Sequence, residues 1–155
     1  MKWTPPAWLK SIPKGSHGST DIQKRLWKIT SDVVRIRDWY KYGGSCVSCG
    51  GKIPSWKEGQ AGHFKPYSVC NSYFKFNTEN LALQCAYDNA YGGADKGYRF
   101  GEELERRGVN LEQLQKYNLK LHGSKMYDYE LIPIIEKLLD TELPEYPDYF
   151  NKIKR

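Results

Sequence analysis

Cys46-Val-Ser-Cys49-Gly50 sets two cysteines either side of a two-residue gap and follows them with glycine. That gap lets both thiolates face one ion, and the glycine lets the turn close. A tetrahedral site needs two more ligands. Cys85 opens a second half, and the residue three positions on is Asp88, whose carboxylate can ligate zinc through oxygen. A zinc site of Cys46, Cys49, Cys85 and Asp88 would tie the chain near Ser45 to the chain near Cys85. Two alternatives stay open for the fourth ligand. One is Cys70 from the intervening loop. The other is no protein ligand or no metal, with Asp88 only a helix cap and Cys70 an ordinary small thiol. Two short strands and a helix cannot bury enough surface to stay folded alone, which is what a metal staple would remedy. The expected class is therefore α+β, a zinc-stapled ββα core over about residues 45–107 with flanking α-helices.

The rest of the chain fits one domain. Residues 1–18 are rich in Pro, Gly and Ser and read as an irregular arm carrying Trp3 and Trp8. A single domain is expected over 19–143 and a Pro-interrupted aromatic tail over 144–155. Ser19 or Thr20 is a plausible cap for a helix over 20–40. Along it Ile22, Leu26, Ile29, Val33, Ile36 and Tyr40 recur at spacings of three and four, one apolar stripe. Lys24, Arg25, Lys28, Arg35 and Arg37 fall largely off that stripe, as a solvated basic face or a phosphate-contacting one. Gly43-Gly44 ends the helix. Strands are expected at Gln60–Phe64 and Leu81–Gln84, joined by a long polar loop over 65–79. A helical segment should start near Cys85, break at Gly92-Gly93, and resume from Asp95 to about Arg107. Asn110 looks like the cap of a helix ending near Leu121. A last helix is expected over 127–140.

Charge and composition narrow the function. The 155 residues hold 24 Lys plus Arg against 18 Asp plus Glu, a formal net charge of +6, which favours a polyanionic partner. Twelve Tyr and five Trp can fill a small core or stack on bases. No apolar run is long enough to span a bilayer and no basic amphipathic helix has a clean lipid face, so no membrane partner is expected. The first residues lack the apolar stretch of a signal peptide, which points to the cytoplasm, where four cysteines are metal ligands or free thiols rather than disulfides.

Three histidines occur. His17 lies in the arm and His122 beyond a predicted helix, both surface positions. His63 ends a predicted strand between the two knuckle halves, and Asn80 and Asn89 follow it in order. Phosphodiester hydrolysis with one metal needs such a set. An imidazole can take a proton from water near its own pKa. An amide before the second strand can pin the loop and accept the imidazole Nδ1 proton through its carbonyl, fixing the tautomer. An oxygen ligand on the facing helix can hold Mg2+ against the phosphate. Ordinary packing of a strand-edge histidine, with asparagines at turns and caps, is the alternative.

The ordered set resembles the HNH, or His-Me finger, nuclease core, and more narrowly the phage NinG/Rap recombination endonuclease family. The resemblance rests on Ile36-Arg-Asp38, Cys46-Val-Ser-Cys49-Gly50 and Trp56-Lys-Glu-Gly-Gln-Ala-Gly-His63-Phe64. It continues through Lys75-Phe-Asn-Thr-Glu-Asn80, Gln84-Cys85, Asn89 and Tyr98, and covers about residues 26–120. It implies a ββα-metal (HNH) core with structural Zn2+. It makes His63 the general base, Asn80 the loop-orienting residue and Asn89 a ligand of a catalytic Mg2+ or Mn2+. The implied activity is endonucleolytic cleavage of branched recombination intermediates of the Holliday-junction or D-loop type, in the cytoplasm of a bacterial host. Lys65, Lys75, Arg99, Arg106 and Arg107, with the first helix, would contact phosphates, because a structure-selective enzyme reads shape.

Three positions depart from the pattern. Gly62 stands where the wider HNH pattern has a metal-binding Asp, as in the NinG/Rap variant, so the ion would lean on water and phosphate. Asp88 stands where the family has a second cysteine pair member. Gly92-Gly-Ala-Asp95 replaces its Ser-Gly-Asn, and Asp95 is either a replacement carboxylate or, more simply, a helix N-cap. Two other functions compete. A non-catalytic zinc-containing nucleic-acid-binding module would use His63 for packing. A base-specific homing or restriction nuclease would need a second recognition domain, and none stands out. Symmetric cutting of a four-way junction would favour a homodimer, for which the last helix and Tyr146, Tyr149 and Phe150 are candidate surfaces, equally good as core.

Overall fold

The computed structural model describes residues 20–65, 75–92 and 94–121. The arm, Cys70, His17, His122, the helix expected over 127–140 and the tail lie outside them. In chain order the elements are α1 (Thr20–Lys41), β1 (Gln60–His63), a 3-10 turn (Thr78–Asn80), β2 (Leu81–Gln84), α2 (Ala86–Tyr91), α3 (Ala94–Arg106) and α4 (Leu111–Leu121). This is a mixed architecture compatible with α+β: helices around a two-stranded sheet.

β1 and β2 pair antiparallel, with Gln60 opposite Gln84, Ala61 opposite Leu83, Gly62 opposite Ala82 and His63 opposite Leu81. Side chains alternate along a strand, so 61, 63, 81 and 83 share one face and 60, 62, 82 and 84 the other. The first face meets α1. Val34 packs on Ala61 and Leu81 beside Trp27, and Leu83 packs with Cys46 and Ile53 beside Trp39. The second face meets α3 through Ala82, Val47, Phe100 and Leu104, flanked by Phe64, Val109 and Leu111. Every residue of β2 is buried. A strand covered on both faces is why Leu81-Ala-Leu-Gln84 reads as a nearly continuous apolar run.

Helix α1 is enclosed on more sides than its stripe implies. Val33, Val34 and Ile36 are buried, but so are Thr30, Asp32 and Asp38, while Tyr40 is 57% exposed and leaves the stripe. The expected basic face is not a solvated one where Arg35 and Arg37 stand. The Arg35 guanidinium donates to the carbonyl oxygens of Trp56, Lys57 and Gly59, wrapping that loop onto the helix. Arg37 donates to the carbonyls of Thr78 and Leu81. Lys28 keeps its ammonium in solvent, paired to Asp32 at 3.5 Å.

Asp38, wholly buried, joins α1, β2 and the end of α3. Its carboxylate accepts from the Leu83 amide at 2.7 Å, Arg37 Nε at 2.7 Å and Arg107 Nη1 at 2.9 Å. The Arg107 guanidinium also lies 4.0 Å from the Tyr42 ring centroid. Three charge-assisted donors make burial of that carboxylate tolerable.

Two expected boundaries shift. β1 stops at His63, and Phe64 turns to pack on Phe100 at 5.7 Å between ring centroids. α3 starts at Ala94, so Asp95 is inside its first turn rather than at its N-cap. Asn110 does cap α4, its Oδ1 accepting from the Gln113 amide at 2.9 Å.

Candidate functional site

The first knuckle half is a tight hairpin. Ser45 bridges Lys52, the Cys46 amide donates to the Gly51 carbonyl at 2.8 Å, and the Gly50 amide donates to the Cys46 carbonyl at 2.8 Å. Gly50 turns the chain with a φ of +74°, a conformation glycine adopts without strain. The hairpin docks on the outer edge of β2, where the Val47 amide donates to the Leu83 carbonyl at 2.9 Å. The second half is the start of α2. Cys85 is its N-cap, the thiol accepting from the Asp88 amide at 3.5 Å, so Asp88 is in the first turn and is not the cap. Asp88 points inward, with its Oδ2 3.2 Å from Cys46 Sγ.

The four donor atoms of Cys46, Cys49, Cys85 and Asp88 all lie within 4.8 Å of one another. Tetrahedral zinc, at about 2.3 Å from sulfur and about 2.0–2.2 Å from carboxylate oxygen, fits a cluster of that size and chemistry. Cys46 and Asp88 are buried, Cys85 is half-buried and Cys49 exposed. Hydrogen bonding to Asp88, and then burial, push the Cys49 thiol up to about 12. Burial raises the Cys85 thiol as well. Without a cation the cluster holds its protons, and a divalent ion would displace them.

His63 closes β1 on the face toward α1. Its ring stacks on Trp27, centroids 5.0 Å apart and planes 14° from parallel. Nε2 lies 3.1 Å from the Lys75 carbonyl. A carbonyl only accepts, so in the neutral ring Nε2 carries the proton and Nδ1 the basic lone pair. This is the reverse of the expected tautomer with its Nδ1 proton on the Asn80 amide, whose oxygen is instead taken by the Lys65 amide. Burial lowers the pKa from its ordinary 6.5; the Lys75 carbonyl opposes that and the Lys75 charge adds to it. The ring is therefore neutral at neutral pH.

Asn80, fully buried, latches the chain that leaves β1. Its Oδ1 accepts from the Lys65 amide at 2.9 Å, its Nδ2 donates to the Lys65 carbonyl at 3.5 Å, and its own carbonyl accepts from the Phe64 amide at 2.8 Å. His63 and Asn80 thus meet at one end of the sheet. Asn89 stands elsewhere. From α2 it donates to Gln60 Oε1 at 2.6 Å, at the other end of β1 and, by alternation, on its other face.

Sequence reasoning missed Gln84. It is buried, and its Nε2 donates to Ser48 Oγ at 2.6 Å, linking β2 to the knuckle turn. A Cβ at Gly62 would sit 1.6 Å from Gln84 Oε1. The glutamine amide thus fills the space beside the position where the wider HNH pattern carries Asp. In the sequence Gly62 stands out as a departure and Gln84 only as part of the matching Gln84-Cys85 pair; they are not legible as one packing unit, because only the register brings them together.

The five expected phosphate contacts divide. Arg99 is exposed and lies over the knuckle, where a Cβ on Gly50 would meet its Nη2 at 2.2 Å. Arg106 is exposed and pairs with Glu103 at 2.7 Å. Lys65 and Lys75 are half-buried, each ammonium 5.4 Å from the ring of Phe64 and Phe76 respectively. Arg107 is corrected from surface cation to core residue: its side chain is 7% exposed and its charge is taken up by Asp38.

Among the described residues no helix is long and apolar enough to cross a membrane. Comparison with curated proteins and with solved structures found no match. The family model described as bacteriophage lambda NinG protein matches residues 14–129, well over half of the sequence, and the chain therefore belongs to the bacteriophage lambda NinG family.

Proposed function

We propose that this protein is a metal-dependent DNA endonuclease of the HNH type that cuts branched recombination intermediates. The observation that carries the reading is His63: an imidazole at the end of a strand, stacked on Trp27, whose Nε2 faces the Lys75 carbonyl and so makes Nδ1 the basic nitrogen of the neutral ring. As general base, it would take a proton from the attacking water. Asn80 would keep the exit of β1 in place by its bonds to Lys65. Asn89, whose Nδ2 is engaged by Gln60, would offer Oδ1 to a catalytic ion. With Gly62 and Gln84 in place of a carboxylate, the local donors are amide oxygens, suited to Mg2+ or Mn2+ held largely by water and phosphate. Such an ion would supply charge stabilisation of the phosphate. Zn2+ in the Cys46, Cys49, Cys85 and Asp88 cluster would be structural. Lys65, Lys75, Arg99 and Arg106 would contact the DNA backbone, and a homodimer would suit symmetric cutting of a junction.

A second reading is favoured by one observation. His63 and Asn89 occupy opposite ends and faces of β1, so one phosphate reaches both only if the strand end or α2 moves. If neither moves, the protein is a zinc-containing nucleic-acid-binding module and His63 packs on Trp27. The two readings separate on a labelled four-way junction and a matched linear duplex, with Mg2+ or Mn2+ and the His63→Ala variant alongside. Junction cutting by the wild type alone supports the nuclease. Equal binding by both with no cutting under either ion sinks it.

A further inference from the structure

Among the described residues the exposed large hydrophobic side chains are Tyr40, Tyr87 and Tyr91. The last two, 65% and 76% exposed, stand one turn apart on α2 with ring centroids 5.6 Å apart and planes at 48°. Two other positions of this short helix are committed, Asp88 to the four-donor cluster and Asn89 to Gln60. The two rings therefore stand together on a solvent-exposed side of α2.

The charge beside this surface indicates what covers it. The Arg99 guanidinium lies over Gly50, on the turn whose Cys49 shares the metal cluster with Asp88. An exposed cation and a pair of exposed, mutually tilted aromatic rings thus flank one centre in a chain of net charge +6. A phosphate with a free π-face, which is to say a nucleotide, complements both. Bases within a duplex are paired and stacked on each other, whereas an unpaired base offers its face.

We propose that Tyr87 and Tyr91 are a stacking platform for an unpaired base of tailed or branched DNA, with Arg99 taking an adjacent phosphate. This rests on the nucleic-acid-binding part of the function proposed above and names the substrate feature recognised. It does not depend on cleavage.

The test uses the full-length, zinc-loaded protein and a duplex with a single-stranded tail carrying 2-aminopurine, beside a blunt duplex of the same length. The wild type should quench the probe and prefer the tailed DNA. A Tyr87→Ala, Tyr91→Ala double variant should lose the quenching and bind the tailed DNA about tenfold or more weakly, with blunt-duplex binding nearly unchanged. The corresponding double Phe variant should behave as wild type, since it keeps the rings. Zinc content, measured on each variant, separates lost stacking from lost fold. Full quenching by the zinc-loaded Ala variant overturns the proposal. So does an equal loss on both DNAs. So does unchanged DNA binding with a smaller particle mass by light scattering, which would make the pair a protein contact. A wild type that binds neither DNA overturns both this inference and the nucleic-acid reading. Quenching without cleavage by the wild type supports the platform and sinks only the nuclease.

Discussion

Asp38 and Arg107 stand 69 positions apart in sequence, and their ion pair at 2.9 Å joins the first helix to the end of the third. Removing Arg107 would leave a wholly buried carboxylate short of one donor. Arg107→Ala should cost about 3 kcal/mol, seen as a lower urea midpoint with little change in slope. An unchanged midpoint would mean that the pair is not structural. His63 gives a second expectation. Its folded pKa is lower than 6.5, so as pH falls through 6.5 the unfolded chain takes up a proton before the folded one. Stability should therefore decline below about pH 6.5 and level off once the folded pKa is passed. An NMR titration should place His63 below 6.5 and Trp27→Ala should move it upward, because that substitution lets water reach the ring. A titration at or above 6.5 in the wild type contradicts the burial described.

The four-donor cluster belongs to the scale of elements. It brings the Cys46–Gly51 hairpin to the start of α2, and a metal held there would take its carboxylate from Asp88. Asp88→Ala should weaken zinc binding at least by the tenfold to hundredfold lost when even an outer partner of a metal site is removed, measured by competition with a chromophoric chelator. Asp88→Cys should tighten binding, since thiolate suits zinc. Zinc affinity equal in all three proteins would exclude Asp88 from the ligand set. Most elements were legible in the sequence. The periodicity from Ile22 and the glycines at 43 and 44 bracket α1, and the Asn110 side chain marks α4. The knuckle spacings name the same four donors that the fold brings together. What was not legible depends on pairings distant in sequence. Arg35 and Arg37 look like surface cations until loop carbonyls 21 to 44 residues away close on them. Tyr40 fits the stripe by period but leaves it as the helix runs past the sheet. The opposite settings of His63 and Asn89 follow from strand alternation, which a list of motif residues does not encode.

At the scale of the whole molecule, the basic charge should act through a few exposed or half-exposed side chains rather than all 24. If Lys65, Lys75, Arg99 and Arg106 each meet one phosphate, binding should weaken with salt at a log–log slope of about −3 to −4. Arg106→Ala should make that slope shallower by about one, in fluorescence anisotropy at several salt concentrations. No change would remove Arg106 from the interface. The span between Lys65 and Lys75 has a different consequence. Asn80 moors its near end by the Lys65 backbone, and His63 moors its far end by the Lys75 carbonyl. Both moorings use backbone atoms of the two lysines, so either side chain, and with it the charge, can be exchanged while the histidine stays where it is.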